Sequence, residues 1–366
     1  MLSLRDRAVM NEEYVPGAGP LRGLGPREGV PAGLVWPSRR GDADGPTAWQ
    51  TRSGAFRRTA RGLWVPADVP ASPEQRIVEA AACLPAYGAV TGWAALRWQG
   101  ASWFEGTGRD LQPLPVSIAV GDRHAVRPRA GLSVSQEILP PGTIRRVRGI
   151  RVTSPLWSVA HEMRKAPSDE AAAVAFELAA LHDLVSIAEL AEFVDSTLWV
   201  RQGVPRVRAL LPHLEENSWS PTEPLMRLTW CRAGHPRPLA NRPVFTLDGR
   251  FVGTPDLVDP EAGVYGMYDG ALHLTGTVRH EDVAKEAAYR ALGLEGVTMM
   301  AGDLGDRGPF VARLDEAYAR AGRRAPGQRR WRTEPPSWWT PTFTVEQRRQ
   351  LTAAQRTRLL GYRPAA

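Results

Sequence analysis

Glu223, Asp256, Asp269, His273 and Lys285 are side chains suited to acid–base chemistry, and they fall within one stretch of the chain. Their spacing makes them a candidate site. Val244 to Leu247 leads into Asp248-Gly249, a dipeptide suited to the positive φ of a tight hairpin turn. Arg250 to Val258 reads as the returning strand, with Asp256 near its end. Val264 to Asp269 is a third strand that stops at Asp269-Gly270, with His273 just beyond. These strands would gather Asp256, Asp269 and His273 at one sheet edge. An imidazole there could orient or deprotonate a water, and Asp269 could fix its tautomer.

Helices frame the strands. Ser220-Pro221 predicts a helix start, with Ser220 as N-cap, and Gly234 predicts its stop. Val278 to Leu292 is amphipathic and ends at Gly293; Val297 to Met300 is a short apolar strand, and Pro309 to Ala321 a last helix. The Val278–Leu292 segment is long enough for a crossover between parallel strands. Plainer roles compete with the chemical ones. Asp256 could bond loop N–H groups. Glu223 completes an S-x-x-E capping box with Ser220, and Lys285 could pair with Glu281 one turn back.

This order, with SPTEPLMR around Glu223, TPDLVD around Asp256 and MYDGALH around Asp269 and His273, resembles the core of the PD-(D/E)xK nuclease superfamily. It is most similar to the Vsr-like branch of small actinobacterial endonuclease domains. The resemblance implies an α/β, restriction-endonuclease-like domain with an α-β-β-β-α-β-α core. It also implies Mg²⁺ held by Asp256 and, through water, Asp269, with water activated near His273 and Lys285 stabilising charge at the scissile phosphate. Arg279 and Asp282 fit the family pattern, Arg279 as a nucleic-acid contact. The family's third strand carries E-x-D-G-x-x-H, and here the glutamate position is Met267. A thioether is a soft, weak ligand where Mg²⁺ requires hard oxygens. Glu261 or Glu286 could in principle replace the acid. The resemblance therefore implies a nucleic-acid-associated protein with an impaired nuclease site. The alternatives are an active Mg²⁺-dependent endonuclease with a relocated ligand, or an antitoxin-like DNA-binding regulator.

The whole chain is compatible with that reading. It has 366 residues, 43% of them hydrophobic, and a formal charge of +7; the pI near 9.9 favours a polyanionic partner, DNA ahead of RNA. Cys83 and Cys231 lack metal-ligand spacing and suit a reduced, cytoplasmic protein. The opening MLSLRDRAVMNEEY has acids where a signal peptide has its apolar core, and no apolar run reaches membrane-spanning length.

Four regions are expected: a loose Gly/Pro-rich arm over 1–50, an α+β region over 51–215, the nuclease-like domain over 218–322, and a basic tail over 323–366. Phe56 to Pro66, FRRTARGLWVP, resembles the wing of AbiEi-type antitoxin proteins, which implies a degenerate winged helix, although Gly41 to Thr51 has no helical pattern. A plain β-hairpin explains the same text. Helices are expected from Ser72, from Gly88, from Ser154 and over Asp169 to Leu181, with strands at Pro115 to Val120, Gly131 to Ile138 and Gly149 to Thr153. In the tail, Arg329, Arg330 and Arg332 surround Trp331, and Arg348, Arg349, Arg356 and Arg358 lie on an expected terminal helix. Interleaved arginine and tryptophan could track phosphates and stack on bases, or simply pack and solvate the tail.

Overall fold

The computed structural model describes residues 29–108, 110–122, 126–198, 200–270, 276–323 and 329–363, with the side chains of 276–283 excepted. The described residues form two compact units. One draws on Met1–Lys165 and Glu192–Val204, the other on Ala166–Ala191 and Pro205–Arg363. The chain is mixed α/β, as expected.

In the first unit, helix α1 (Ala48–Arg52) is closed by a capping box between Thr47 and Gln50. That corrects the expectation of no helix here; a five-residue helix is too short to show periodicity, and its cap defines it. Strands β1 (Phe56–Ala60) and β2 (Leu63–Pro66) form an antiparallel hairpin. Arg57 Nη1 reaches Glu79 Oε2 at 3.0 Å, which ties the hairpin to helix α2 (Pro73–Ala81). Helix α2 starts at the predicted Ser72 cap, with proline in its first turn.

Strand β3 (Ala89–Thr91) precedes α3 (Gly92–Trp98), so the helix expected from Gly88 begins four residues later. The Ala-Val-Thr segment is wholly buried as the central strand of a five-stranded sheet, and that burial overrides its helical pattern. The sheet adds β4 (Val116–Ala119), β5 (Leu132–Ser135), β6 (Ile144–Val147) and β7 (Ile150–Thr153) in the order β5-β4-β3-β7-β6. Helix α4 (Pro155–Lys165) follows β7.

The second unit opens with α5 (Asp169–Leu181), capped by Ser168. Helices α6 (Ile187–Ser196) and α7 (Val204–Leu210) run across the division of the chain. Helix α8 (Glu223–Arg232) begins three residues after the predicted Ser220 cap. Pro224 explains the shift: proline lacks an N–H and clashes with the carbonyl four residues back, so it is tolerated only in a first turn.

Strand β8 (Leu239–Ala240) comes next, followed by β9 (Val244–Thr246), β10 (Phe251–Gly253), β11 (Leu257–Asp259) and β12 (Val264–Asp269). Helix α9 (Gly276–Ala291) crosses to β13 (Glu295–Met300), and α10 (Gly308–Ala321) closes the core. A four-stranded sheet runs β13-β12-β11-β8, with β8, β11 and β12 antiparallel and β13 parallel to β12. The single strand expected over Arg250–Val258 is thus two. Pro255 sits at the break, where it can donate no ladder hydrogen bond. Strands β9 and β10 instead join β14 (Trp331–Arg332) in a separate sheet, ordered β10-β9-β14, and β8 supplies the first core strand.

Alternation along β12 assigns its two faces. Val264 packs with Met226 and Trp230 of α8 and Phe310 and Leu314 of α10. Tyr265 and Met267 pack on the opposite side with Tyr289 of α9, Val244 and Trp331.

Two short helices, α11 (Val345–Arg349) and α12 (Ala353–Leu359), replace the single terminal helix expected, each with its own Thr/Gln capping box. Their arginines anchor the tail to the second unit. Arg348 Nε lies 2.7 Å from Asp183 Oδ1, Arg356 Nη2 2.6 Å from Asp183 Oδ2, and Arg363 spans both carboxylate oxygens at 2.8 Å. Burial alone would raise the Asp183 pKa, but Arg363 and Arg348 hold it below the ordinary aspartate value.

Asp183→Ala should leave these guanidiniums without their carboxylate and lower unfolding stability by about 3–5 kcal/mol, measured by urea titration. Because the folded-state pKa is depressed, the wild type should hold this contribution above roughly pH 4, the unfolded aspartate value. It should lose it as pH falls through the folded value, and the variant should lack this acid-side decline.

Candidate functional site

Two of the predicted acids meet at one end of the four-stranded sheet. Asp256 immediately precedes β11, and its Oδ2 accepts the Tyr268 N–H at 2.7 Å. The β11–β12 register pairs Leu257 with Gly266, so Asp256 stands one step further along, across from Met267. Glu223, the first residue of α8, is 4% exposed. Its Oε2 accepts the Trp219 N–H at 2.8 Å and Asn241 Nδ2 at 2.5 Å. It therefore caps the approach to its own helix from Trp219, one residue before the Ser220 N–H that a capping box would use.

Asn217 and Asn241 were not singled out from the sequence, and they build the frame. Asn217 Nδ2 donates to the carbonyls of Ala240 and Asn241, at 2.8 and 3.1 Å, and Asn241 Nδ2 donates back to the Asn217 carbonyl at 2.7 Å. The Asn241 N–H donates to the Asp256 carbonyl at 2.9 Å. One asparagine thus links the Glu223 carboxyl to the Asp256 backbone. Asn241 holds φ at +47°, a region that asparagine tolerates better than most residues, and this preference was the signal available in the sequence.

Electrostatics follow from this crowding. Burial, and then the charge of Asp256, push the Glu223 pKa up to about 8, which favours the protonated acid. Tyr289 is buried and raised by burial, by Tyr265 and by Asp256. A side chain at Gly253 would collide with the Tyr289 hydroxyl, so glycine is required at that point. Trp219 stacks on Tyr362 of the tail, with ring centroids 4.0 Å apart, and so walls the Glu223 side.

The other predicted residues are placed less closely. Asp269 ends β12 opposite Met300 of β13, half-buried. Lys285 lies on an exposed stretch of α9. His273 and the Arg279 side chain lie outside the described residues, as does Glu281, the partner expected for Lys285. Arg329 and Arg330 are exposed and Arg332 is half-buried on β14.

A divalent ion fits these residues poorly. Met267 stands across from Asp256 and packs against the Tyr265–Tyr289 cluster, while Glu223 already accepts from Trp219 and Asn241 and Asp256 from Tyr268. Mg²⁺ takes hard oxygens in an octahedral shell, and a thioether supplies none. No family model, no curated protein and no solved structure matches this chain.

The shifted acid predicts a pH dependence. The Glu223 pKa is higher folded than unfolded, so its favourable contribution is complete below about pH 4. It fades as pH rises and is gone above the folded value near 8. Glu223→Gln mimics the protonated acid and removes this decline. Denaturant unfolding at pH 6, 7.5 and 9 (roughly bracketing the folded value) should show the variant gaining on the wild type, by on the order of a few kcal/mol at the alkaline end. Parallel pH profiles would disprove the buried proton.

Proposed function

We propose that the second unit is a nuclease-like domain of PD-(D/E)xK type that binds nucleic acid, DNA in preference to RNA, with its hydrolytic site impaired. The observation that carries the proposal is the conjunction of Asp256 and Glu223 at one sheet end with Met267 across from Asp256. The element order supports the fold assignment: a helix, three antiparallel strands, a crossover helix, a parallel strand and a closing helix. Glu223 at the start of α8 and Asp256 just before β11 support the superfamily resemblance. Met267 replaces the remaining carboxylate with a side chain that strengthens the core beside Tyr265 and Tyr289.

Such a site keeps its architecture after losing cleavage, because the interactions that fold it are its own. A neutral Glu223 and a methionine also remove the like-charge repulsion that two or three metal-free carboxylates would feel. The positive net charge and the exposed Arg329 and Arg330 support retained phosphate binding. Regulation through the N-terminal hairpin is supported less well, since its Arg57 is committed to Glu79.

Two assays test this reading. Supercoiled-plasmid nicking with Mg²⁺ or Mn²⁺ should show no turnover by the wild type and none by Asp256→Ala. Nicking restored in Met267→Glu would identify the one missing carboxylate, whereas wild-type nicking abolished by Asp256→Ala would replace the proposal with an active endonuclease. Binding to labelled duplex DNA should weaken steeply with salt and be unaffected by Mg²⁺ or Asp256→Ala. Absence of binding at physiological salt would refute the nucleic-acid reading.

A further inference from the structure

The small β10-β9-β14 sheet has one face in the core and one that the core does not use. Val244 and Trp331 face the cluster around Tyr265 and Tyr289. Phe251, Phe245 and Arg332 are register partners across the three strands, so they share the opposite face. Trp338 and Trp339 lie over that face. Phe245 is fully buried beneath them, with centroids 5.9 Å from Trp338 and 5.2 Å from Trp339. Trp339 stacks on Phe251 at 5.3 Å with the rings 28° apart.

Covering Phe245 accounts for Trp339. Trp338 also edges against Phe245 yet stays 60% exposed, and Phe251, with one face stacked by Trp339, stays 42% exposed. Large aromatic surface left in water is costly to keep. Pro335-Pro336 precede the two tryptophans, and the Trp339 N–H closes a turn onto the Pro336 carbonyl at 3.0 Å.

The surroundings are cationic. In the segments that form this sheet, Arg250, Arg330 and Arg332 outnumber Asp248 and Glu334, while Arg329 is stacked on Trp331, whose ring belongs to the core cluster. An exposed aromatic surface with arginines in the strands beside it matches an anionic chain with planar groups.

We propose that this face is a stacking platform for single-stranded nucleic acid: Trp338 and Phe251 receive unpaired bases, and Arg250 and Arg332 take the adjoining phosphates. The proposal deepens the nucleic-acid reading above and rests on it. It adds that the ligand is unpaired at this point, because a duplex buries the base faces the rings require. A proline-rich peptide would also lie on tryptophan, but it brings no charge to the arginines.

Fluorescence anisotropy with the full chain separates the outcomes. The probes are a labelled oligo(dT) of about 15 nucleotides and a labelled duplex of equal length. The wild type should bind oligo(dT), and Trp338→Ala should weaken that binding by roughly 5- to 100-fold, the loss expected for one stacked base. Duplex binding should stay unchanged, and Trp338→Phe should restore most of the loss. Phe251→Ala supplies a second, independent reading. Both positions are exposed enough that the fold should survive, which circular dichroism would check. Duplex binding by a wild type that ignores oligo(dT), or oligo(dT) binding indifferent to both alanine variants, would overturn the platform and leave the nucleic-acid reading standing. Binding to neither probe would overturn both. Displacement of oligo(dT) by an uncharged proline-rich peptide would assign the face to protein instead.

Discussion

A buried ion pair governs the second unit. Glu177 of α5 and Arg227 of α8 are both fully buried, and Arg227 Nη2 donates directly to Glu177 Oε1. Bringing two charges out of water costs several kcal/mol for each, so such a pair persists only where further hydrogen bonds complete it. Here the Ser218 hydroxyl donates to Glu177 Oε2 at 2.5 Å, the Glu215 N–H to Oε1 at 3.1 Å, and Arg227 Nη1 to the His213 carbonyl at 2.6 Å. Even so, burial pushes the Glu177 pKa up to about 7 against the pull of Arg227. The pair therefore fixes the 213–218 segment as well as two helices. That segment carries Asn217 and leads directly to Trp219, the residues that hold Glu223 and Asn241 in place.

From that constraint the candidate site follows. A clasp of two asparagines sets Glu223 close to Asp256, in a setting where two negative charges cannot comfortably coexist. Protonation of Glu223 relieves the conflict without any ion. Met267 completes the relief on the other side of Asp256 by joining the tyrosine cluster. With a methionine and a buried glutamic acid beside Asp256, this sheet end carries less negative charge than three ionised carboxylates would. Stability has been gained where chemistry would demand strain and repulsion.

Arginine content is a poor guide to ligand contacts in this protein. The tail looks like a row of free cations in one dimension. In three, Arg348, Arg356 and Arg363 converge on Asp183, and Arg348 also donates to the Ala180 and Glu216 carbonyls at 2.7 and 3.0 Å. Arg349 pairs with Glu189. These side chains hold the tail down. Arg332 of β14 differs because it shares a sheet face with Phe251, beside aromatic surface that the fold leaves exposed.

Local signals determined much of this chain. The Ser72 cap, the glycines after α8 and α9 and the alternation of β12 placed their elements to within a few residues, since capping and periodicity act over one or two turns or strand steps. The acids Glu223 and Asp256 were each legible as candidates by their positions at element ends, but their conjunction was not; Asp256 was expected beside Asp269 and His273. Other features were decided only by tertiary structure. These include the two-residue strand β8, the separate sheet of β9, β10 and β14, the clasp between Asn217 and Asn241, and the grip of Asp183 on residues more than a hundred and fifty positions away. The state of Glu223 belongs with them. A carboxylic acid's protonation depends on how much water and which charges surround it, and those surroundings exist only once distant segments have packed together.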